Sequence, residues 1–291
     1  MSDVAYVNGW IGSLRDARVS ILDRGFLFAD GVYEVIRTYD GRPFALGAHL
    51  DRLEQSLRGL ELRAPLPRRR LERLVHALVE RSGYRDARIY VQVTRGVGRR
   101  QHAFPAAVRP TLVLYVERLA DRRRARRGLA VVTVPDERWK RCHLKTVALL
   151  PNVLARERAH RAGADEAILL GPGGVVREGT SSNVFVVQRG VLRTHPLGPE
   201  ILPGVSRQVV LDLARQAGLR VREARFRRAA LFAADEVLLS STALEIAPVV
   251  RVDGRRIGTG APGPVASALH ERFRTGVRAA RRPAASRRRR S

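Results

Sequence analysis

Apolar positions fall into short alternating runs and longer helical spacings along most of the chain. Ala5-Tyr6-Val7 leads into Asn8-Gly9, a pair that tolerates positive φ and so predicts a tight hairpin. Residues 32–39 are rich in β-branched and aromatic types and end at Asp40-Gly41, which predicts a strand and a turn. Leu46, Leu50, Leu53, Leu57 and Leu60 predict a helix over 46–60. Leu71, Leu74, Val75, Leu78 and Val79 predict a second over 71–79. Strands are expected at 89–94 and 111–116. Residues 117–128 carry little apolar content and read as a linker. Beyond them, strands at 129–134, 167–170, 183–187, 237–240 and 247–252 interleave with helices at 152–161 and 206–217, the latter stopped by Gly218. From residue 278 the chain is Arg-rich and almost without apolar groups, so a disordered tail is expected over 278–291. The pattern divides into an N-terminal domain (1–116), the linker, a C-terminal domain (129–277) and the tail.

Composition narrows the class. A 291-residue chain with 45% hydrophobic and 28% charged residues can bury a core. It has no run of about 18 apolar residues, which excludes a membrane-spanning helix. Met1-Ser2-Asp3-Val4 shows no basic-then-apolar leader, so no signal peptide is expected. A single cysteine, Cys142, predicts a reducing compartment, taken as the cytoplasm. No cluster of histidine and cysteine has metal-ligand spacing, so no metal is expected.

The net charge of +26 raises nucleic-acid binding as a competing class. Such binding needs a contiguous basic face with stacking aromatics, yet aromatics are 5% and arginine is spread along the whole chain. Residues 272–291 hold nine arginines, and without them the charge is still +17. We read the excess as compositional bias over an enzyme scaffold, with nucleic acid left at most to the tail. Arginine supplies every cationic side chain except Lys140 and Lys145. Lysine can lose its proton and attack a carbonyl, whereas guanidinium stays charged.

Lys145 stands out because Leu144, Val147, Leu149 and Leu150 surround it, and burial lowers an amine's pKa. A neutral amine forms a Schiff base with an aldehyde. Lys140, between Trp139 and Arg141, reads as exposed. Ser206, in Gly204-Val205-Ser206-Arg207, is a natural N-cap, and the free N–H groups of a helix start favour an anion such as phosphate. Glu178 precedes the hydroxyl-rich loop Gly179-Thr180-Ser181-Ser182, and a carboxylate can pair with a protonated pyridine nitrogen. Ser240-Ser241-Thr242 adds three hydroxyls at a strand end. Each feature alone reads as turn chemistry; together they suit pyridoxal 5'-phosphate.

Five segments in order carry a family resemblance: 23–34 (Asp-Arg-Gly-Phe-Leu-Phe-Ala-Asp-Gly-Val-Tyr-Glu), His49-Leu50-Asp51-Arg52-Leu53, the surroundings of Lys145, Glu178 to Asn183, and Leu202 to Arg207. The sequence resembles class IV pyridoxal-phosphate-dependent aminotransferases over about residues 4–277. The resemblance implies a two-domain α+β fold (type IV), with a smaller N-terminal α/β domain and a larger C-terminal domain built on a pseudo-barrel sheet. It implies that Lys145 forms the Schiff base and shuttles a proton, and that Arg52, Val205, Ser206, Ser241 and Thr242 bind the cofactor phosphate. Glu178 is implied to pair with the ring nitrogen, Ser181 to line the site and Leu202 to pack beside the ring. Segment 93–105 is similar to the D-amino-acid aminotransferase version, in which an Arg-x-His pair from the neighbouring subunit, with a tyrosine, binds the substrate carboxylate. Arg100, His102 and Tyr33 match it, and guanidinium suits two-point binding of a carboxylate. His143 and Ala243-Leu244 depart from that version and bear on side-chain preference. The expected reaction is ping-pong transamination of a D-amino acid, D-alanine foremost, with a 2-oxo acid such as 2-oxoglutarate, by a homodimer with shared active sites. An L-branched-chain aminotransferase and an aminodeoxychorismate lyase are the alternatives.

Overall fold

The structure, a computed structural model, describes residues 1–119 and 126–279. Two sheets organise it. The first is fully antiparallel, with strand order β2-β1-β6-β5-β3-β4. Its strands are β1 (Val4–Val7), β2 (Trp10–Ser13), β3 (Gly31–Tyr39), β4 (Arg42–Pro43), β5 (Ala87–Thr94) and β6 (Thr111–Arg118). Helices α2 (Leu46–Gly59) and α3 (Arg68–Ser82) cover one face, and their leucines meet Val32, Ile36, Ile89, Val91 and Leu114 in one core. The alternation of β3 sends Glu34 and Ile36 into that buried side and Tyr33, Val35 and Arg37 to the other.

The second sheet has order β12-β11-β10-β13-β14-β7-β8-β9. Its strands are β7 (Leu129–Pro135), β8 (Glu166–Gly171), β9 (Val175–Gly179), β10 (Asn183–Gln188), β11 (Val191–Thr194), β12 (Arg220–Glu223), β13 (Glu236–Ser241) and β14 (Glu245–Val252), with β15 (Arg255–Arg256) paired to β14. Strand β9 also meets β10 through the single pair Glu178–Asn183. Six strands, β10-β13-β14-β7-β8-β9, therefore close on themselves, and closure leaves those strands no free edge. Ile168, Val176, Val184, Leu239 and Val249 belong to one core of this sheet. Helices α5 (Val205–Gln216) and α7 (Pro264–Ala279) pack in another with Phe185, Leu192 and Leu238. The remaining helices are α1 (Arg24–Phe28), α4 (Leu150–Arg161) and α6 (Ala229–Phe232). Among the described residues, no helix is long and apolar enough to cross a membrane.

The expected elements are present with ends moved by a few residues, and α+β is the class. Three differences have physical causes. Glu117 and Arg118, expected in the linker, continue β6, because β5 offers Arg88 and Ala87 as ladder partners. Helix α7 was not expected, although Ala266, Leu269, Phe273 and Val277 are its buried stripe. It runs through Ala279, two residues into the expected tail; the rest of the tail and 120–125 of the linker lie outside the described residues. Strands β9, β11 and β12 were also unexpected. Arg220-Val221-Arg222-Glu223 has only one apolar residue, and pairing with β11 makes it a strand.

Candidate active site

A cleft between the two sheets has a free volume of about 800 Å3, counting its open mouth. Tyr33, Arg52, Lys145, Glu178, Ser181, Leu202, Val205, Ser206, Ser241 and Thr242 all line it. Arg100 and His102 do not.

Lys145 is fixed by its backbone. Its N–H donates to Ser56 Oγ (3.0 Å) and its carbonyl accepts from Tyr33 N–H (2.9 Å), beside an isolated bridge between Val32 and Thr146. The side chain is half-buried, and Nζ stands 4.2 Å from the centre of the Tyr33 ring. That ring is backed by Tyr90 and Tyr115, stacked in series. Of the apolar neighbours, Leu144 packs against Gly59, and Leu144 and Leu149 line the cleft together with Lys145, beside the Tyr33 ring and the cleft's polar groups. Among the described residues, no carboxylate forms an ion pair with it.

One end of the cleft collects anion-binding groups. Arg52, on α2, donates through Nε and a terminal nitrogen to both oxygens of Glu34 (2.7 and 2.8 Å) and through the other to Pro203 O (2.9 Å). Three of the five guanidinium N–H groups are thus engaged and two remain for the cleft. Helix α5 starts here at Val205, with Gly204 as its N-cap. The expected cap, Ser206, lies instead within the first turn. Gly204 holds the cap because a Cβ there would collide with Asn183 Oδ1. Ser240 Oγ is buried on the cleft wall with no hydrogen-bond partner.

At the other end Glu178 is buried and accepts from Leu202 N–H (3.0 and 3.1 Å), Asn183 Nδ2 (3.1 Å) and the Arg138 guanidinium. Burial raises this carboxyl above its ordinary range, and Arg138 and the Leu202 N–H only partly offset it. Arg138 also pairs with buried Asp136, whose carboxyl stays at about 2 against its burial. Arg138 had no sequence signal, being one arginine among 52. The roles of Glu34 and His49 were also missed, although both stand inside quoted segments.

Glu34 supports Arg52 from behind. Burial alone would raise its carboxyl; Arg52 and His49 reverse this and hold it at about 2. His49 Nδ1 lies 2.8 Å from Glu34 Oε2, and burial pushes the imidazole below its usual range. A depressed carboxyl stabilises the fold above its unfolded value of 4.5 and loses that contribution as pH falls toward about 2. Moving from pH 6 to pH 3 should therefore cost the protein about 2 kcal/mol at this group. Urea unfolding at both values, for the native chain and Glu34→Gln, checks this, since the variant should lack that increment.

Arg100 and His102 occupy an exposed loop at the end of β5. Buried Arg24 builds the loop by donating to the carbonyls of Gln101 (2.6 Å), His102 (3.3 Å) and Ala103 (3.4 Å), and to Asp30 (2.8 Å). Arg95 also binds Asp30 and lies 3.6 Å from the Phe104 ring centre. Ile21, Phe26, Val97 and Phe104, in this region, are all exposed, Ile21 and Phe26 to more than 70%. Beyond Lys145, on the Tyr33 side, the cleft continues into a second compartment lined by Val35, Arg88, Arg156 and the turn 241–244.

This arrangement can be compared with known proteins. A family model for amino-transferase class IV matches residues 31–252. The chain belongs to the class IV aminotransferases. The D-alanine aminotransferase of Bacillus licheniformis is 39% identical over 259 residues, covering 89% of this chain and 91% of that protein. That of Listeria monocytogenes is 40% identical over 271 residues, covering 92% and 93%. Among solved structures, the Escherichia coli branched-chain amino acid aminotransferase aligns with a TM-score of 0.88 at 27% identity, covering 94% of each chain. The T.th. branched-chain amino acid aminotransferase complexed with N-(5'-phosphopyridoxyl)-L-glutamate aligns with the same TM-score of 0.88 at 29% identity, covering 97% and 96%. This aminotransferase uses pyridoxal 5'-phosphate, and its cleft fits that cofactor. Free guanidinium donors, a helix start and an orphaned hydroxyl mark one end, a buried carboxylate the other, and an amine with no acidic partner among the described residues lines the same cleft.

Proposed function

We propose that this chain moves the amino group of a D-amino acid, D-alanine foremost, to a 2-oxo acid such as 2-oxoglutarate, as a homodimer in the cytoplasm. The observation that carries the reading is the loop at 99–104. A buried guanidinium holds three consecutive backbone carbonyls so that Arg100 and His102 stand exposed, away from their own cleft. A second copy placed over the apolar surface around Phe26 and Phe104 would receive that pair at its own cleft. The D-alanine aminotransferase relatives at about 40% identity support the same substrate class.

The cofactor supplies an aldehyde that captures an amine and a pyridinium ring that draws electron density from the substrate Cα. Around it each residue has a task. Arg52, the Val205 and Ser206 N–H groups, and the Ser241 and Thr242 hydroxyls would hold its phosphate. Glu178 would hold the proton of its ring nitrogen, Leu202 and Ser181 would line the ring site, and Lys145 Nζ would carry the proton taken from the substrate Cα. Tyr33, with Arg100 and His102 of the neighbouring subunit, orients the substrate carboxylate. Since the amine then approaches with a fixed hand, only one enantiomer directs its Cα–H at Lys145.

Half-reactions with D- and L-alanine test the reading, followed by loss of the cofactor's absorbance. The D form should react at least about 100-fold faster, a difference of roughly 3 kcal/mol in barrier. Faster reaction of L-alanine or L-leucine would overturn it in favour of the branched-chain alternative.

A further inference from the structure

Behind the strand end that carries Ser241 and Thr242, the structure contains a buried charge cluster that joins the two sheets. Glu245, the first residue of β14, is only 4% exposed. Its Oε1 accepts from Tyr39 Oη (2.8 Å), Arg37 (2.9 Å) and Arg274 (2.9 Å), and His270 Nε2 lies 3.8 Å from Oε2. Arg37 and Tyr39 come from β3 in the first sheet, whereas His270 and Arg274 come from α7. Both guanidiniums lie over the Tyr39 ring, at 4.5 and 5.7 Å, and Phe44 and Phe273 complete an aromatic cluster around it.

Glu245 also sits at a backbone position that disfavours it. Its φ is +59°, the left-handed region that glycine enters most easily. The last β13–β14 ladder pair is Ser241 with Glu245, so Thr242, Ala243 and Leu244 form the hairpin loop between them. Residues of left-handed conformation close many short hairpin loops, and glycine enters that conformation most easily. Glutamate in its place exchanges backbone ease for a clamp. The same turn lines the second compartment of the cleft, facing Tyr33 and Val35 of β3.

We propose that Glu245 is a positioning residue that ties the Thr242–Leu244 turn to β3 and so fixes the width of the compartment taking the substrate side chain. The proposal rests on the D-amino-acid reading for its choice of substrates. Tyr33 and Val35 form one wall, and the turn forms the other. Arg37 and Tyr39 extend the first wall, and Glu245 joins the second to them. Locked in this way, the turn keeps its distance from β3; released, it moves outward and the preference for a small side chain over a larger one weakens.

Glu245→Gly is the test, because glycine accepts the backbone angle while the contacts to Arg37, Tyr39 and Arg274 are lost together. With the holoenzyme, the kcat/KM ratio of D-leucine to D-alanine should rise about tenfold, the scale on which a pocket distinguishes one or two methylene groups. Binding of pyridoxal 5'-phosphate to the apoprotein, followed by absorbance, should weaken by no more than about threefold, since Arg52 and the start of α5 do not bond to Glu245 and only the Ser241–Thr242 share of the phosphate contacts adjoins it. Tyr39→Phe deletes one of the three donors and should shift the ratio in the same direction by about threefold; it carries the test if the glycine variant does not fold. A ratio unchanged in both variants, with or without a uniform loss of rate, overturns the proposal. Failure of the native enzyme on D-alanine would instead overturn the substrate reading.

Discussion

Lys145→Ala is expected to lower the single-turnover rate with D-alanine by about 10⁴-fold or more, because in the proposed mechanism one atom serves as both nucleophile and proton carrier. The chain holds that atom closely. Lys145 N–H and carbonyl are bonded to Ser56 and Tyr33, so the residue belongs to the β3 edge rather than to a free loop. Nζ rests 4.2 Å from an aromatic face that cannot accept its proton permanently, as a carboxylate pairing would. Lys145→Arg should be as inactive as the alanine variant, since guanidinium does not deprotonate at working pH. The phosphate end of the cleft does not bond to Lys145, so both variants should still bind the cofactor non-covalently. Stopped-flow absorbance with D-alanine, beside equilibrium cofactor titration, separates the two effects. Native turnover by either variant would remove Lys145 from the chemistry.

Residues whose chemistry is rare in this chain were legible in its sequence; residues that act through common chemistry were not. Lys145 is one of two lysines, and Glu178 introduces a run of hydroxyls, so both announced themselves. Arg138 and Arg24 do comparable work, one holding Glu178 and the other holding the 99–104 loop, yet in a chain with 52 arginines neither differs from a surface residue. Glu34, His49 and Arg52 form one buried unit, but the link exists only because α2 crosses the buried side of β3, a contact no local pattern encodes. The fold divided in the same way. Leucine-spaced helices and β-branched strands could be read because burial of one face dictates their period. Strand β9 could not: Val-Val-Arg-Glu-Gly has no alternation, and it becomes a strand by sealing the barrel against β8 and β10. Arg100 and His102 were legible as a pair, and on the proposed reading their target lies on a second molecule, which no pattern within one chain encodes.

Glu178→Gln is expected to reduce kcat with D-alanine by about 10²- to 10³-fold while leaving KM and cofactor affinity nearly unchanged. The substitution is close to isosteric and removes one charge. In the native protein that carboxylate is aimed by Leu202 N–H, Asn183 and Arg138, and it stands at the single residue pair that closes the barrel. It is therefore rigid, and its charge acts where water cannot screen it. A protonated ring nitrogen matters most as electron density leaves the substrate Cα, so its loss falls on the transition state rather than on binding. Arg52 and the start of α5, the proposed phosphate contacts, do not bond to Glu178 and should persist. Arg138 keeps Asp136 as a partner, so the variant should fold, although a guanidinium now meets an amide and a melting temperature a few degrees lower is expected. Steady-state kinetics over a range of D-alanine concentrations, with cofactor titration and thermal melting on the same preparation, distinguishes the cases. A rise in KM with kcat unchanged would show that Glu178 serves binding alone. Equal kcat in the two proteins would take the ring nitrogen out of its keeping.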